Sequence, residues 1–190
     1  MHQILVSGLA ALVLLLTAAC GGSGSDGADD PPRTTGPDPS TTIDEATTTT
    51  NTEDAVRSAY SAYVAMITRV SSTTVDPNDP ELATRMVDPA LSALRTRLST
   101  WQSQGEIWVT GDQTRHDIQS VEFQDGGLTA VVTDCIVAND TRVPVGSTDV
   151  TLPAPKTNLG HTTMVNQDGA WLAQSTGVDQ QWEGVAGCAA

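Results

Sequence analysis

The spacing of apolar residues changes period at Gly105, and that switch decides which class of fold is open to the chain. Upstream, Val56, Tyr60, Tyr63, Val64 and Ile67 recur at helical spacing and predict an amphipathic helix over residues 53–70. Asn51, with Glu53 and Asp54 behind it, supplies an N-cap and an acidic first turn. Ser71 to Pro77 ends that helix. Asp79-Pro80 opens a short helix through Met86, and Asp88-Pro89 opens a longer one to about Gln104, because proline's fixed φ suits a first helical turn. Leu91, Leu94, Leu98 and Trp101 place an apolar stripe on this helix, and Gly105 is its stop.

Downstream the period falls to two. Ile107-Trp108-Val109, Thr114 to Phe123 and Leu128 to Val137 are rich in β-branched residues and separated by turn signals. Asp125-Gly126-Gly127 between two such runs is the clearest hairpin signal. After it, Val131, Thr133, Cys135 and Val137 share one strand face, and Ala130, Val132, Asp134 and Ile136 the other. Asn139 to Asn158 contains Pro144, Pro153 and Pro155 and reads as an excursion with at most a short edge strand. Gly160 to Asn166 and Ala170 to Val178 form a second hairpin around Gln167-Asp168-Gly169. Helices first and an antiparallel sheet afterwards predict an α+β domain, N-terminal helices covering one sheet face.

The first 51 residues do not join that pattern. Gly21 to about Asn51 is mainly Gly, Ser, Asp, Pro and Thr, too poor in apolar surface to offset the entropy of ordering, and reads as a disordered linker. Its threonines either carry sugars or belong to a plain polar tether. Ahead of it, Ile4 to Ala19 is a short apolar run ending in small residues, a signal peptide in length and flank rather than a membrane span. Leu16-Thr17-Ala18-Ala19-Cys20 resembles a bacterial lipobox, which implies cleavage before Cys20 and attachment of acyl chains, palmitate among them, to that cysteine. The n-region carries only His2 and the amino terminus as basic groups, so an ordinary cleaved signal and an uncleaved anchor stay open. The division expected is a signal peptide over 1–19, lipidated cysteine and linker over 20–51, and one domain over 52–190.

Cysteine arithmetic bears on the same point. Three cysteines leave one unpaired in an oxidising compartment. Assigning Cys20 to lipid leaves Cys135 and Cys188 as a disulfide. A metal is the rival use of these thiols, but there is no Cys-x-x-Cys and no clustered histidine, so no metal and no cofactor is expected. A net charge of −14, with eight Arg and one Lys, argues against a nucleic-acid groove.

The helix order, the segment Ala130-Val131-Val132-Thr133-Asp134-Cys135 after a turn, and Gly169-Ala170-Trp171-Leu172 leading to a late Cys188 resemble the nuclear-transport-factor-two-like superfamily. The likeness covers about residues 53–188 and is greatest to small exported, lipid-anchored members of actinobacteria. It implies a cystatin-like cone, a curved antiparallel sheet closing over a pocket, with the late cysteine bonded back to the sheet. Some members of that superfamily are isomerases or dehydratases, which need an acid or base desolvated in an apolar pocket.

For such chemistry the candidates are Asp134, His161 and His116. Asp134 lies among Val131, Val132 and Ile136, His161 is placed to meet it across the sheet, and His116 and its neighbour Asp117 point to opposite sides. A satisfied structural carboxylate is the competing reading of Asp134. Tyr60, Tyr63, Trp101 and Asp134 either line a pocket or fill the core. No nucleophile elbow, phosphate loop, dinucleotide fingerprint or His-Glu-x-x-His motif is present. The expectation is a lipid-anchored domain at the extracytoplasmic face of the cell membrane, a noncatalytic accessory module for a small apolar ligand or an envelope protein. The alternative is an isomerase- or dehydratase-like enzyme using a pocket carboxylate.

Overall fold

A computed structural model of the chain describes residues 45–188. The expectations for the 1–19 signal, Cys20 and the linker up to residue 44 lie outside the described residues. Helix α1 (Glu45–Ser72) starts upstream of the Asn51 boundary expected from capping residues. No glycine or proline interrupts residues 45–72, so local sequence does not break the helix at Asn51. Val56, Tyr60, Met66 and Val70 form its buried face. The short α2 (Leu82–Arg85) follows, and α3 (Ala90–Gln104) packs Leu94 and Leu98 inward. The Asp-Pro pairs lie just ahead of their helices, and their aspartates do not cap them as expected: the N-cap residues are Glu81 and Pro89. Asp79 Oδ1 accepts from the Glu81 amide at 2.9 Å, and Asp88 Oδ1 accepts from the Ser92 amide at 3.1 Å and hydroxyl at 2.5 Å. Gly105 ends α3 at φ 66°, in the left-handed region that glycine tolerates.

Strands β1 (Glu106–Val109), β2 (Arg115–Gln124), β3 (Thr129–Ala138), β4 (Thr141–Pro144), β5 (Lys156–Gln167) and β6 (Ala170–Glu183) follow. They form two antiparallel sheets, one of order β2-β3-β5-β6 and one pairing β1 with β4. The helices cover one face of the larger sheet, where Ala130, Val132, Met164 and Ala173 meet Val56, Tyr60, Leu82 and Leu98 in a shared core. Among the described residues, no helix is long and apolar enough to cross a membrane.

The expected cone is not formed, and the resemblance to the cone-shaped superfamily is corrected by this topology. Both sheets are open: β2 and β6 remain edges, and β1 pairs with β4 instead of extending the larger sheet. The prolines at 144, 153 and 155 give part of the reason. Each lacks a backbone donor, and they interrupt the chain between β4 and β5 where a further ladder would have to run.

The other face of the sheet is closed covalently. Cys135 on β3 is bonded to Cys188, as the cysteine count predicts. Gly184 accepts from the Thr157 hydroxyl at 2.7 Å and donates to Pro155, fixing the C-terminal segment beside the disulfide.

Candidate functional site

Between the helices and the larger sheet lies a cavity of about 700 Å³. Tyr60, Tyr63, Val64 and Ile67 reach it from α1, and Arg97 and Trp101 from α3. Each set repeats at three or four residues, so one side of each helix faces the space. Trp108 of β1 stacks on Trp101 with ring centroids 5.5 Å apart and planes 14° off parallel, forming an aromatic wall. The sheet contributes His116, Ile136, Thr162 and Val178, and Gly160 leaves the space opposite Asp134 without a side chain.

A polar chain runs behind this wall. Asp134, 1% exposed, pairs with Ile118 on β2 and Gly160 on β5. Its Oδ2 accepts from the Tyr60 hydroxyl at 2.7 Å and lies 2.5 Å from Nδ1 of His116. The second oxygen, Oδ1, is buried and has no hydrogen-bond partner among the described residues. Burial holds the Tyr60 phenol far above its ordinary range, and the hydrogen bond and charge of Asp134 push it the same way. Tyr60 therefore stays a donor. The contact orients the His116 ring so that Nδ1 faces the carboxylate and Nε2 is its other nitrogen. His116 lines the cavity, whereas Asp134 sits behind it.

Both histidines line the cavity, but they are held by different carboxylates. His161 pairs with Thr133 and Gly177 and is engaged through Nδ1 by Asp179, at 2.8 Å, rather than by Asp134. Asp179 occupies the register shift where Leu159 pairs Gln180 and Gly160 pairs Val178. Asp117 pairs with Cys135 and belongs to a smaller depression of about 250 Å³ beside the disulfide. Of the expected pocket residues, Tyr60, Tyr63 and Trp101 line the cavity. Arg97 and Trp108 also line it, and sequence reasoning missed both. Arg97 lies one helical turn before Trp101, which is the signal that was available.

Burial also raises the Tyr63 phenol, and the nearby Arg97 charge opposes that rise in part. Asp140, the one carboxylate on the cavity wall among the described residues, accepts from the Gly111 amide at 2.9 Å and from the Thr114 hydroxyl. No group of three or more potential metal ligands occurs among the described residues.

No family profile matches the chain, and no curated protein does. Among solved structures, the intermembrane space region of the chloroplast protein ARC6 is similar at a TM-score of 0.53 and 10% identity. The match covers 64% of this chain and 91% of that one. At that identity the likeness carries the fold alone.

Proposed function

We propose that the chain is a cell-envelope lipoprotein, held by Cys20 at the extracytoplasmic face of the membrane, whose domain binds a small, largely apolar ligand. The observation that carries the ligand is the cavity of about 700 Å³ walled by Tyr60, Tyr63, Trp101, Trp108 and Ile136. That volume falls within the range of about 300–1,000 Å³ usual for small-molecule sites, and its aromatic and aliphatic residues are interleaved with threonines, two histidines, Arg97 and Asp140. The disulfide and the acidic balance suit an oxidising, aqueous compartment.

Native mass spectrometry of protein recovered from its own envelope tests the reading. A retained mass that disappears when Trp108 or Tyr63 is truncated supports it; a ligand-free protein under the gentlest conditions argues against it. Cys20→Ala should move the chain from the membrane to the soluble fraction, and unchanged fractionation without acyl mass would defeat the anchor.

A second reading, an isomerase- or dehydratase-like enzyme, is favoured by the 2.5 Å contact between His116 and Asp134. Its base is Nε2 of His116, with Asp134 orienting the ring, rather than the carboxylate expected from sequence. The test is solvent-deuterium incorporation into cavity-sized unsaturated ketones. Incorporation equal in the wild type and His116→Asn excludes the role.

A further inference from the structure

The cavity wall carries an unspent positive charge. Among the described residues, Arg57, Arg69, Arg85, Arg142 and Lys156 are held in ion pairs with carboxylates. Arg97, on the cavity wall, is in none and makes no hydrogen bond. Arg95 and Arg115 are likewise in no ion pair among the described residues, but neither lines this cavity. The Tyr63 hydroxyl, near enough to feel the Arg97 charge, likewise has no partner among the described residues. Two donors without acceptors among the described residues therefore line the same cavity. The single wall carboxylate, Asp140, is already engaged by Gly111 and Thr114. Beside the donors, the stacked rings of Trp101 and Trp108 offer an apolar surface.

We infer that the ligand is an amphiphile with one carboxylate head, its anion bound by Arg97 and the Tyr63 hydroxyl and its apolar body laid against the Trp101 and Trp108 rings. The inference rests on the small-ligand reading above and names the class of ligand. Arg97 supplies a forked cation that matches a carboxylate, and Tyr63 supplies a neutral donor that costs no second charge. A neutral apolar molecule of the same size would leave both donors facing it without acceptors, so the site discriminates against the esterified or reduced form.

The test uses the full-length chain and cis-parinaric acid, a polyene carboxylate that accepts energy from nearby tryptophans. Binding is read as transfer from tryptophan to the polyene, against its methyl ester, with dodecanoate and dodecanol as competitors. The acid should bind about ten- to hundredfold tighter than the ester, and dodecanoate, not dodecanol, should displace it. Arg97→Gln should abolish the preference with an unchanged circular dichroism spectrum, and Tyr63→Phe should reduce it. Acid and ester bound equally well, or a preference that survives Arg97→Gln, would overturn the carboxylate head while leaving the cavity as an apolar site. Binding of neither probe would count against the small-ligand reading itself.

Discussion

The hydroxyl of Tyr60 and Nδ1 of His116 converge on one atom, Oδ2 of Asp134, at 2.7 and 2.5 Å. A single acceptor thus holds one side chain from α1 and one from β2, and ties the helix layer to the sheet.

Removing that acceptor strands both partners. Asp134→Ala should lower stability by about 2–5 kcal/mol, and Tyr60→Phe, which takes away one charge-assisted bond, by about 1.5–3 kcal/mol. Urea unfolding followed by tryptophan emission checks both values. A loss under about 0.5 kcal/mol for Asp134→Ala would mean the network does not hold the layers together.

The chain has two tyrosines, and both phenols are raised, chiefly by burial. An acid raised on folding binds its proton more tightly in the native state. The stability it contributes is fully present below the unfolded value of about pH 10 and is lost as pH rises beyond it. Phenolate absorbance should therefore stay low past about pH 10 and appear together with loss of native circular dichroism. A smooth titration of both phenols near pH 10 in folded protein would contradict this.

At the acid end the sign reverses. Asp88 is held below its ordinary range by the Ser92 hydroxyl and amide, and Asp79 by the Glu81 amide and then by Arg69. Their contribution is present above the unfolded carboxylate value of about 3.9 and is lost as pH falls through the lowered folded values. The double variant Asp79→Asn, Asp88→Asn should flatten the fall in thermal midpoint below about pH 4, relative to the wild type. Since both carboxylates are on the surface, added salt should weaken the part that Arg69 supplies to Asp79.

Reduction tests the C-terminal closure. The Cys135–Cys188 bond spans 53 residues, so opening it should cost about 4 kcal/mol on the chain-entropy account. The denaturation midpoint of the Cys135→Ser, Cys188→Ser variant should match that of reduced wild type, and both should fall below that of the oxidised protein.

Local chemistry made much of this legible in the sequence. The change of period at Gly105 separates helices from strands, and the turns at Gly126 (φ 67°) and Gly169 (φ 88°) need the left-handed backbone that the Asp-Gly pairs offered. What depended on distant pairing was not legible. Asp134 meets His116 rather than His161 because β3 sets Ile136 against His116, two residues from Asp134 on the same face, whereas His161 pairs with Thr133 on the other. Whether the sheet closes is likewise a property of which edges find partners, and β1 found β4. Arg97 is exposed on α3 and reads in one dimension as an ordinary solvated charge. Only the cavity beside it gives it another use.

Helix α1 runs 28 residues from Glu45 without a glycine or proline and carries Tyr60 and Tyr63 on the way. A straight helix of that length is a rod of about 42 Å. Chain entering at Glu45 therefore reaches the cavity wall with no hinge residue between. A displacement at the N-terminal end of the helix is therefore carried along one continuous element to both phenols on the cavity wall.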